Sequence, residues 1–277
     1  MLPGYNTNGF AHHRLEDALK ILASLGYRSV ALTPDVQTLN PLEPGWESAA
    51  KEIAKALRDF GLQVVVETGA RFILDPWRKH QPTLLSNQVK ERKTRLDYLL
   101  RSARLAEILG SNTLSFWSGN APPGATEIQS WDFLVEGCVT LLRQLQGSPV
   151  RLAFEPEPGM FIETMAQFEK LFTLVDQERF GLTLDIGHLE CLGETPLAPH
   201  ANRWADRLWN IHLSDMRRGL HDHVLPGEGS LDFAEVFAGL RRAGYQGGIH
   251  WELSRHSHNA VETARLCHAF LRHHGIS

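Results

Sequence analysis

The chain has 277 residues, of which 43% are hydrophobic and 22% are charged, with a formal net charge of -4. This is the composition of a globular protein, so an intrinsically disordered or fibrous chain is excluded. The mildly acidic balance argues against non-specific binding to nucleic acid.

Short apolar segments alternate with longer segments of helical periodicity from one end of the chain to the other. The apolar segments predict strands at 2–6, 28–33, 62–67, 112–117, 149–155, 180–185, 208–213 and 247–253. Most are continuous apolar runs, as in parallel strands that are buried on both faces. Apolar residues three and four positions apart predict helices around 15–25, 96–103, 134–145, 165–175, 198–206, 233–240 and 260–271.

Local signals mark several helix ends. Gly26 is expected to end the first helix. Thr164, Asp232 and Asn259 each stand three residues before a Gln or Glu, which is the spacing of a capping box.

Eight strand–helix units without a linker predict one α/β domain over residues 1–277, a single (β/α)8 TIM barrel. The alternative is a doubly wound sheet, which usually has a glycine-rich phosphate turn after its first strand. The segment GYNTNGF at that position is not such a turn, so the barrel is favoured.

Cysteine usage and hydropathy bear on the compartment. The three cysteines are scattered and form no CxxC motif, which favours unpaired thiols in a reducing compartment. The first residues lack the pattern of a signal peptide, and no apolar run reaches the length of a membrane span. We therefore expect a cytoplasmic protein without a membrane partner.

Ligand-type side chains stand at the ends of four consecutive predicted strands: Glu155, Asp185, His212 and Glu252. A single acid at a strand end is more often a salt-bridge partner, but in a barrel all four would meet at one rim. Three carboxylates there would repel each other unless a cation neutralised them. The pattern predicts one divalent metal ion, with Mn, Mg, Co or Fe suited to these ligands and Zn also open.

Five motifs carry a resemblance to a known family: FEPEPG at 154–159, LDIGH at 184–188, IHLSD at 211–215, HDHVLPGEGSLDF at 221–233 and HWELS at 250–254. In their order they resemble the xylose-isomerase-like barrel superfamily, which includes ketose 3-epimerases, inosose dehydratases and endonuclease IV. The first half of the chain matches only by its barrel periodicity.

The resemblance implies roles for single residues. Glu155, Asp185, His212 and Glu252 would ligate the metal. The two glutamates would also exchange a proton on opposite sides of the substrate carbon. His188 would contact substrate oxygens or extend the metal cluster, and the PGEG turn at 226–229 would close one side of the pocket.

Endonuclease IV relatives hold three zinc ions, and this chain departs from their pattern. They have an Asp-x-His pair where this chain has His221 and His223, and further histidines where the early strands end in Glu67 and Trp117. A trinuclear phosphodiester site is therefore poorly supported, and no nucleic-acid partner is expected.

The remaining polar loop residues are candidates for substrate binding or for ordinary structural roles. Glu157 either hydrogen-bonds a sugar hydroxyl or caps its turn. Charged loops after the third and eighth strands either bind an anionic tail or are simply solvated. The candidates for substrate contact are His188, Glu157, His223, Arg255, Glu67 and Trp117, with Arg71, Lys79, His80, Trp77 and Trp251 as further options.

The function that these observations favour is a metal-dependent isomerase or epimerase of a sugar, polyol or sugar-acid derivative, with or without a phosphate. A dehydratase in the same barrel and a metal-dependent hydrolase remain alternatives. A non-catalytic sugar- or metal-binding barrel is a further alternative. The expected partner is a small carbohydrate-type substrate, and an oligomer is left open.

Overall fold

A computed structural model describes all 277 residues, which form ten strands and nine α-helices. The strands are β1 (Leu2–Asn6), β2 (Ser29–Leu32), β3 (Gln63–Glu67), β4 (Thr113–Phe116), β5 (Arg151–Phe154), β6 (Phe180–Asp185), β7 (Leu208–Leu213), β8 (Asp215–Arg217), β9 (Leu220–Val224) and β10 (Gly248–Trp251). The helices are α1 (Leu15–Leu25), α2 (Trp46–Asp59), α3 (Val89–Leu109), α4 (Glu127–Gln144), α5 (Met165–Val175), α6 (Ile186–Leu192), α7 (Ala198–Arg203), α8 (Phe233–Arg242) and α9 (Ala260–His273).

Eight of the strands form a closed parallel barrel. They follow the chain order β1 to β7, and β10 closes the ring between β7 and β1. The register places His250 beside His212 and Asp185 beside His212, so the C-terminal ends of β6, β7 and β10 lie level with one another. The predicted (β/α)8 barrel is confirmed, with each predicted strand within two residues of a barrel strand.

Three features of the fold were not predicted from the sequence. Helix α2 has a core face of Ala50, Ile53, Ala54 and Leu57, which stand at helical spacing but were not selected in the sequence analysis. Helix α6 has only seven residues and follows Asp185 directly. The antiparallel hairpin β8–β9 has polar residues on both strands, so it lacks the apolar pattern of a barrel strand.

The predicted helix ends are partly confirmed. Gly26 ends α1 in the left-handed conformation, and Thr164 and Gln167 form the full capping box at the start of α5. Asp232 accepts a hydrogen bond from the backbone N–H of Glu235. The prediction for Asn259 is wrong: a 3-10 turn (Ser254–Asn259) leads into α9, and Asn259 makes no capping hydrogen bond.

The apolar core lies mainly between the barrel and its surrounding helices. Phe154, Phe168 and Phe180 pack together there. The interior of the barrel is partly polar, and Ser115 and Thr183 form a buried hydrogen bond of 2.7 Å inside it. The three cysteines are buried and unpaired, as predicted. None of the helices combines the length and hydropathy that a membrane-spanning segment requires.

Candidate functional site

A polar cavity of about 400 Å³ opens at the C-terminal end of the barrel strands. This is the end at which barrels build their binding sites, because the loops that follow each strand converge there. Trp117 and Met160 supply the large apolar side chains of the wall. Most of the other side chains that were predicted to contact a substrate line the same cavity: Glu67, Arg71, Lys79, His80, Glu157, His188, His223 and Arg255.

Glu155, Asp185, His212 and Glu252 meet at one end of this cavity. One ligand atom from each residue lies within 4.8 Å of those of the other three. The four side chains come from β5, β6, β7 and the end of β10, so their convergence follows from the level ends of neighbouring strands. The structure thus brings together the four residues that the sequence analysis selected as metal ligands.

His212 lies between the two glutamates. Its Nδ1 atom is 2.9 Å from Glu155 Oε1 and 3.2 Å from Glu252 Oε2. Burial alone would lower the pKa of His212, but the two carboxylates raise it well above its usual value. Burial raises the pKa of Glu155 to about 7, although His212 opposes that shift. Burial would raise the pKa of Glu252 as well, but His212 holds it below its usual range.

The environment of the Asp185 carboxylate indicates that the four-residue cluster lacks a cation. Its Oδ1 atom accepts the backbone N–H of His188 at 3.0 Å, whereas its buried Oδ2 atom has no hydrogen-bond partner. A buried carboxylate oxygen without a partner costs free energy that a bound cation would recover. Three carboxylates and one imidazole are ligands that divalent transition metals accept, so the residues fit a metal ion.

A second cluster consists of His188, His221 and His223, which bring one ring nitrogen each to within 4.8 Å of the others. His188 Nδ1 donates to the carbonyl oxygen of Pro156 at 3.1 Å, so its lone pair is on Nε2, a buried atom without a partner. The Nε2 atoms of His221 and His223 are 3.2 Å apart. Burial lowers the pKa of His221 to about 4, which keeps its ring neutral.

The cavity is also lined by Asn8 and Thr33, two polar residues that the sequence analysis did not select. Asn8 Nδ2 donates to Glu252 Oε1 at 2.9 Å. Thr33 Oγ1 contacts both Glu67 Oε1 and Asn6 Oδ1. Burial, together with the charge of Glu252, raises the pKa of Glu67.

Trp117, at the cavity wall, contacts the Arg95 guanidinium and the His80 ring. The Arg95 guanidinium lies 4.9 Å from the centre of its ring, and the His80 ring meets it edge-on at 5.2 Å. Arg95 is fully buried and donates to the carbonyl oxygen of Thr68 at 2.9 Å. These contacts fix one face of the cavity.

Three residues that were predicted to contact the substrate lie outside both the four-residue metal cluster and the histidine cluster. Arg255 lines the cavity but also pairs with Asp222 of the hairpin. Trp77 is 90% exposed, and Trp251 is buried outside the barrel against Phe233 and Phe270.

The turn at residues 226–229 was expected to close the pocket, but it does not line the cavity. The hairpin residues His221 and His223 form that wall instead. Asp215 fixes the turn, because its carboxylate accepts the backbone N–H groups of Gly227 at 2.8 Å and Gly229 at 2.9 Å.

Comparison with known proteins agrees with this fold. The profile of the xylose isomerase-like TIM barrel family matches residues 19–274. An inosose dehydratase of Lacticaseibacillus casei is 27% identical over 136 residues, which are 43% of this chain and 45% of that protein. The chain therefore aligns with less than half of the length of this curated relative.

Two solved structures resemble nearly the whole chain. D-Allulose 3-epimerase from Methylomonas sp., determined with D-allulose, has 17% sequence identity and a TM-score of 0.76 over 99% of this chain and 96% of that one. The IolI protein, determined with a bound zinc atom, has 14% identity and a TM-score of 0.78 over 98% of both chains. At these identities the two structures establish a similar fold.

Proposed function

The chain belongs to the xylose isomerase-like TIM barrel family, and from that premise we propose that it is a divalent-metal-dependent isomerase or epimerase. Its substrate is a sugar, polyol or sugar-acid derivative. The observation that carries the proposal is the convergence of Glu155, Asp185, His212 and Glu252 within 4.8 Å at the C-terminal rim of the barrel.

The metal ion would be held by these four side chains. When bound, it supplies a Lewis acid that polarises a substrate carbonyl and stabilises negative charge on its oxygen. The partnerless Oδ2 atom of Asp185 supports a cation at this position, as does the zinc atom of the similarly folded IolI protein. Zn, Mn, Co, Fe and Mg all remain compatible with this donor set.

Glu155 and Glu252 would move the proton. They approach His212 Nδ1 from two different strands, and we infer that a substrate carbon above the site would lie between them. One of them, as a carboxylate, would remove the proton next to the carbonyl, and the other, as a carboxylic acid, would return a proton to the opposite face. Asn8 orients Glu252 through its 2.9 Å hydrogen bond.

The cavity wall supports a polyhydroxylated substrate. His188, His223, Glu67 and Glu157 present hydrogen-bonding groups, and Trp117 offers an apolar surface on which a sugar ring can stack. D-Allulose, which is bound by the similarly folded epimerase, and inosose are the first compounds to test.

A dehydratase is the second candidate, and two observations favour it. The curated relative is an inosose dehydratase. Glu157 also lines the cavity, where burial and the charges of Glu155 and Glu252 raise its pKa well above the usual value. A carboxyl that stays protonated can donate a proton to a departing hydroxyl group.

Proton exchange with solvent separates these functions. The zinc- or manganese-loaded protein is incubated in D₂O with D-allulose, D-fructose or an inosose and followed by NMR. An epimerase incorporates deuterium next to the carbonyl and retains the substrate mass otherwise, whereas a dehydratase releases water. Neither exchange nor water loss, across a broad panel of sugars and with metal bound, would contradict both candidates and favour a binding protein.

A further inference from the structure

A line of buried polar side chains runs from the candidate metal cluster into the barrel interior. His212 Nε2 lies 3.1 Å from Asn210 Nδ2, Asn210 Oδ1 lies 2.9 Å from His250 Nδ1, and His250 Nε2 lies 2.8 Å from Ser29 Oγ. We propose that Asn210, His250 and Ser29 form a hydrogen-bond relay that positions His212 and fixes its tautomer for metal binding. This inference rests on the metal site of the proposed function.

The barrel makes room for this relay. Ser29 is 2% exposed, and Asn210 and His250 are completely buried. A Cβ atom at Gly4 would lie 2.6 Å from His250 Cδ2, and one at Gly248 would lie 2.5 Å from both His250 Nε2 and Ser29 Oγ. Glycine weakens a strand, and it is found where another group approaches the backbone closely. The two glycines therefore accommodate the His250 ring.

The orientation of His212 determines which of its nitrogens can bind a metal ion. Nδ1 faces Glu155 and Glu252, so a cation held by the cluster meets the lone pair of Nδ1. The single proton of the neutral ring must then lie on Nε2, where it needs an acceptor. The neighbour of Nε2 is the Asn210 amide, whose oxygen can accept this proton.

The Asn210 amide lies in the opposite orientation in the structure. Its Nδ2 atom faces His212 Nε2, and its Oδ1 atom faces His250 Nδ1. In this orientation a neutral His212 ring carries its proton on Nδ1, 2.9 Å from Glu155 Oε1.

A half-turn of the amide keeps both contacts and reverses their direction. His212 Nε2–H then donates to Asn210 Oδ1, the amide donates to His250 Nδ1, and His250 Nε2–H donates to Ser29 Oγ. Metal binding at Nδ1 selects this reversed pattern, so the tautomer of His250 reports on the metal site without contacting it.

The affinity for zinc tests the relay. Asn210→Leu keeps the number and branching of the side-chain heavy atoms and has no acceptor, so we expect its affinity for Zn²⁺ to fall by about 10–100-fold, the range for lost partners of metal-ligating histidines. Asn210→Asp keeps an oxygen at this position and should retain at least the wild-type affinity. Ser115→Ala is the matched control: it removes a 2.7 Å hydrogen bond to Thr183 in the same barrel interior. That change should lower stability and leave the affinity for zinc unchanged.

The tautomer is measured directly by ¹⁵N NMR of the histidine rings in the wild-type chain. In the zinc-bound protein we expect His212 and His250 each to carry the ring proton on Nε2. Because this experiment uses the wild-type chain, it decides the question even if Asn210→Leu does not fold.

The outcomes separate this inference from the proposed function. If the wild type binds zinc with the His250 proton on Nδ1, and folded Asn210→Leu keeps its affinity for zinc, the relay is refuted and the metal site stands. If the wild type binds no divalent metal, the proposed function fails together with this inference.

Discussion

Asp185→Asn should stabilise the protein in the absence of metal and remove most of the stabilisation that metal provides. Asp185 Oδ2 is buried without a partner, while Oδ1 accepts the backbone N–H of His188. The asparagine keeps the Oδ1 acceptor and replaces the partnerless oxygen by an amide that can donate to the lone pair of His188 Nε2, which lies 3.7 Å from this oxygen. An unsatisfied buried polar group costs about 1–3 kcal/mol, so we expect a gain of that size in the free energy of unfolding.

The assay is thermal unfolding of both proteins with a chelator and with excess Zn²⁺. In domains somewhat smaller than this chain about 1 kcal/mol shifts Tm by about 2–4 °C, so a gain of about 1–3 kcal/mol should raise the Tm of the variant in chelator by roughly 2–12 °C. Free zinc at roughly 100 times its Kd stabilises the wild type by about 2.7 kcal/mol, because the folded state gathers the ligands. The variant should gain less Tm from zinc than the wild type does. The difference in Tm between the two proteins should therefore become smaller or change sign when zinc is added.

Asp59→Asn is the control, because Asp59 is an exposed acid that pairs only with Lys55. It should change Tm little in either condition, since exposed ion pairs contribute about 0–1 kcal/mol. A variant Asp185→Asn that is less stable than wild type in chelator, yet gains as much from zinc, would refute the reasoning.

Three further predictions concern the cavity. Glu155→Gln and Glu252→Gln should each lower turnover by roughly 10²–10⁴, the range for a lost general acid or base. One of the two variants should still exchange substrate hydrogen with D₂O. Wild-type turnover in both variants would contradict the two-carboxylate mechanism. His223→Ala should leave the zinc content at one ion per chain and raise KM, whereas a fall from two ions to one would show that the histidine cluster holds metal. Burial lowers the pKa of His80 to about 4, so the unfolded chain binds more protons than the folded chain between pH 6.5 and pH 4. The free energy of unfolding should therefore fall as the pH is lowered from 6.5 toward 4. Chemical unfolding of His80→Gln should show a smaller fall over this range, and an equal fall would contradict the assignment to His80.

The barrel and the four-residue cluster were predictable because both follow from strand periodicity. Parallel strands bring their C-terminal ends to one rim of the barrel. The positions of Glu155 and Asp185 at strand ends are therefore sufficient to predict that the two residues lie at the same rim. Asn210 and His250 could have been found by the same rule. Each lies two residues before His212 or Glu252, and residues two apart in a strand point to the same side.

Other parts of the site depend on loop geometry that the sequence does not encode in a simple pattern. Asn8 reaches Glu252 only because a 3-10 turn (Thr7–Phe10) follows β1. His221 and His223 line the cavity from the hairpin β8–β9, in which Met216, Leu220 and Val224 are interspersed with polar residues. Neither the turn nor the hairpin has the apolar periodicity on which strand and helix predictions depend.

The most direct test of the metal site is a crystal structure of the zinc-loaded protein with anomalous scattering recorded at the zinc absorption edge. We expect one strong peak among Glu155, Asp185, His212 and Glu252, with His212 Nδ1 as the ligating nitrogen. A peak only at His188, His221 and His223, or no ordered zinc in a protein saturated with the ion, would contradict the proposed metal site.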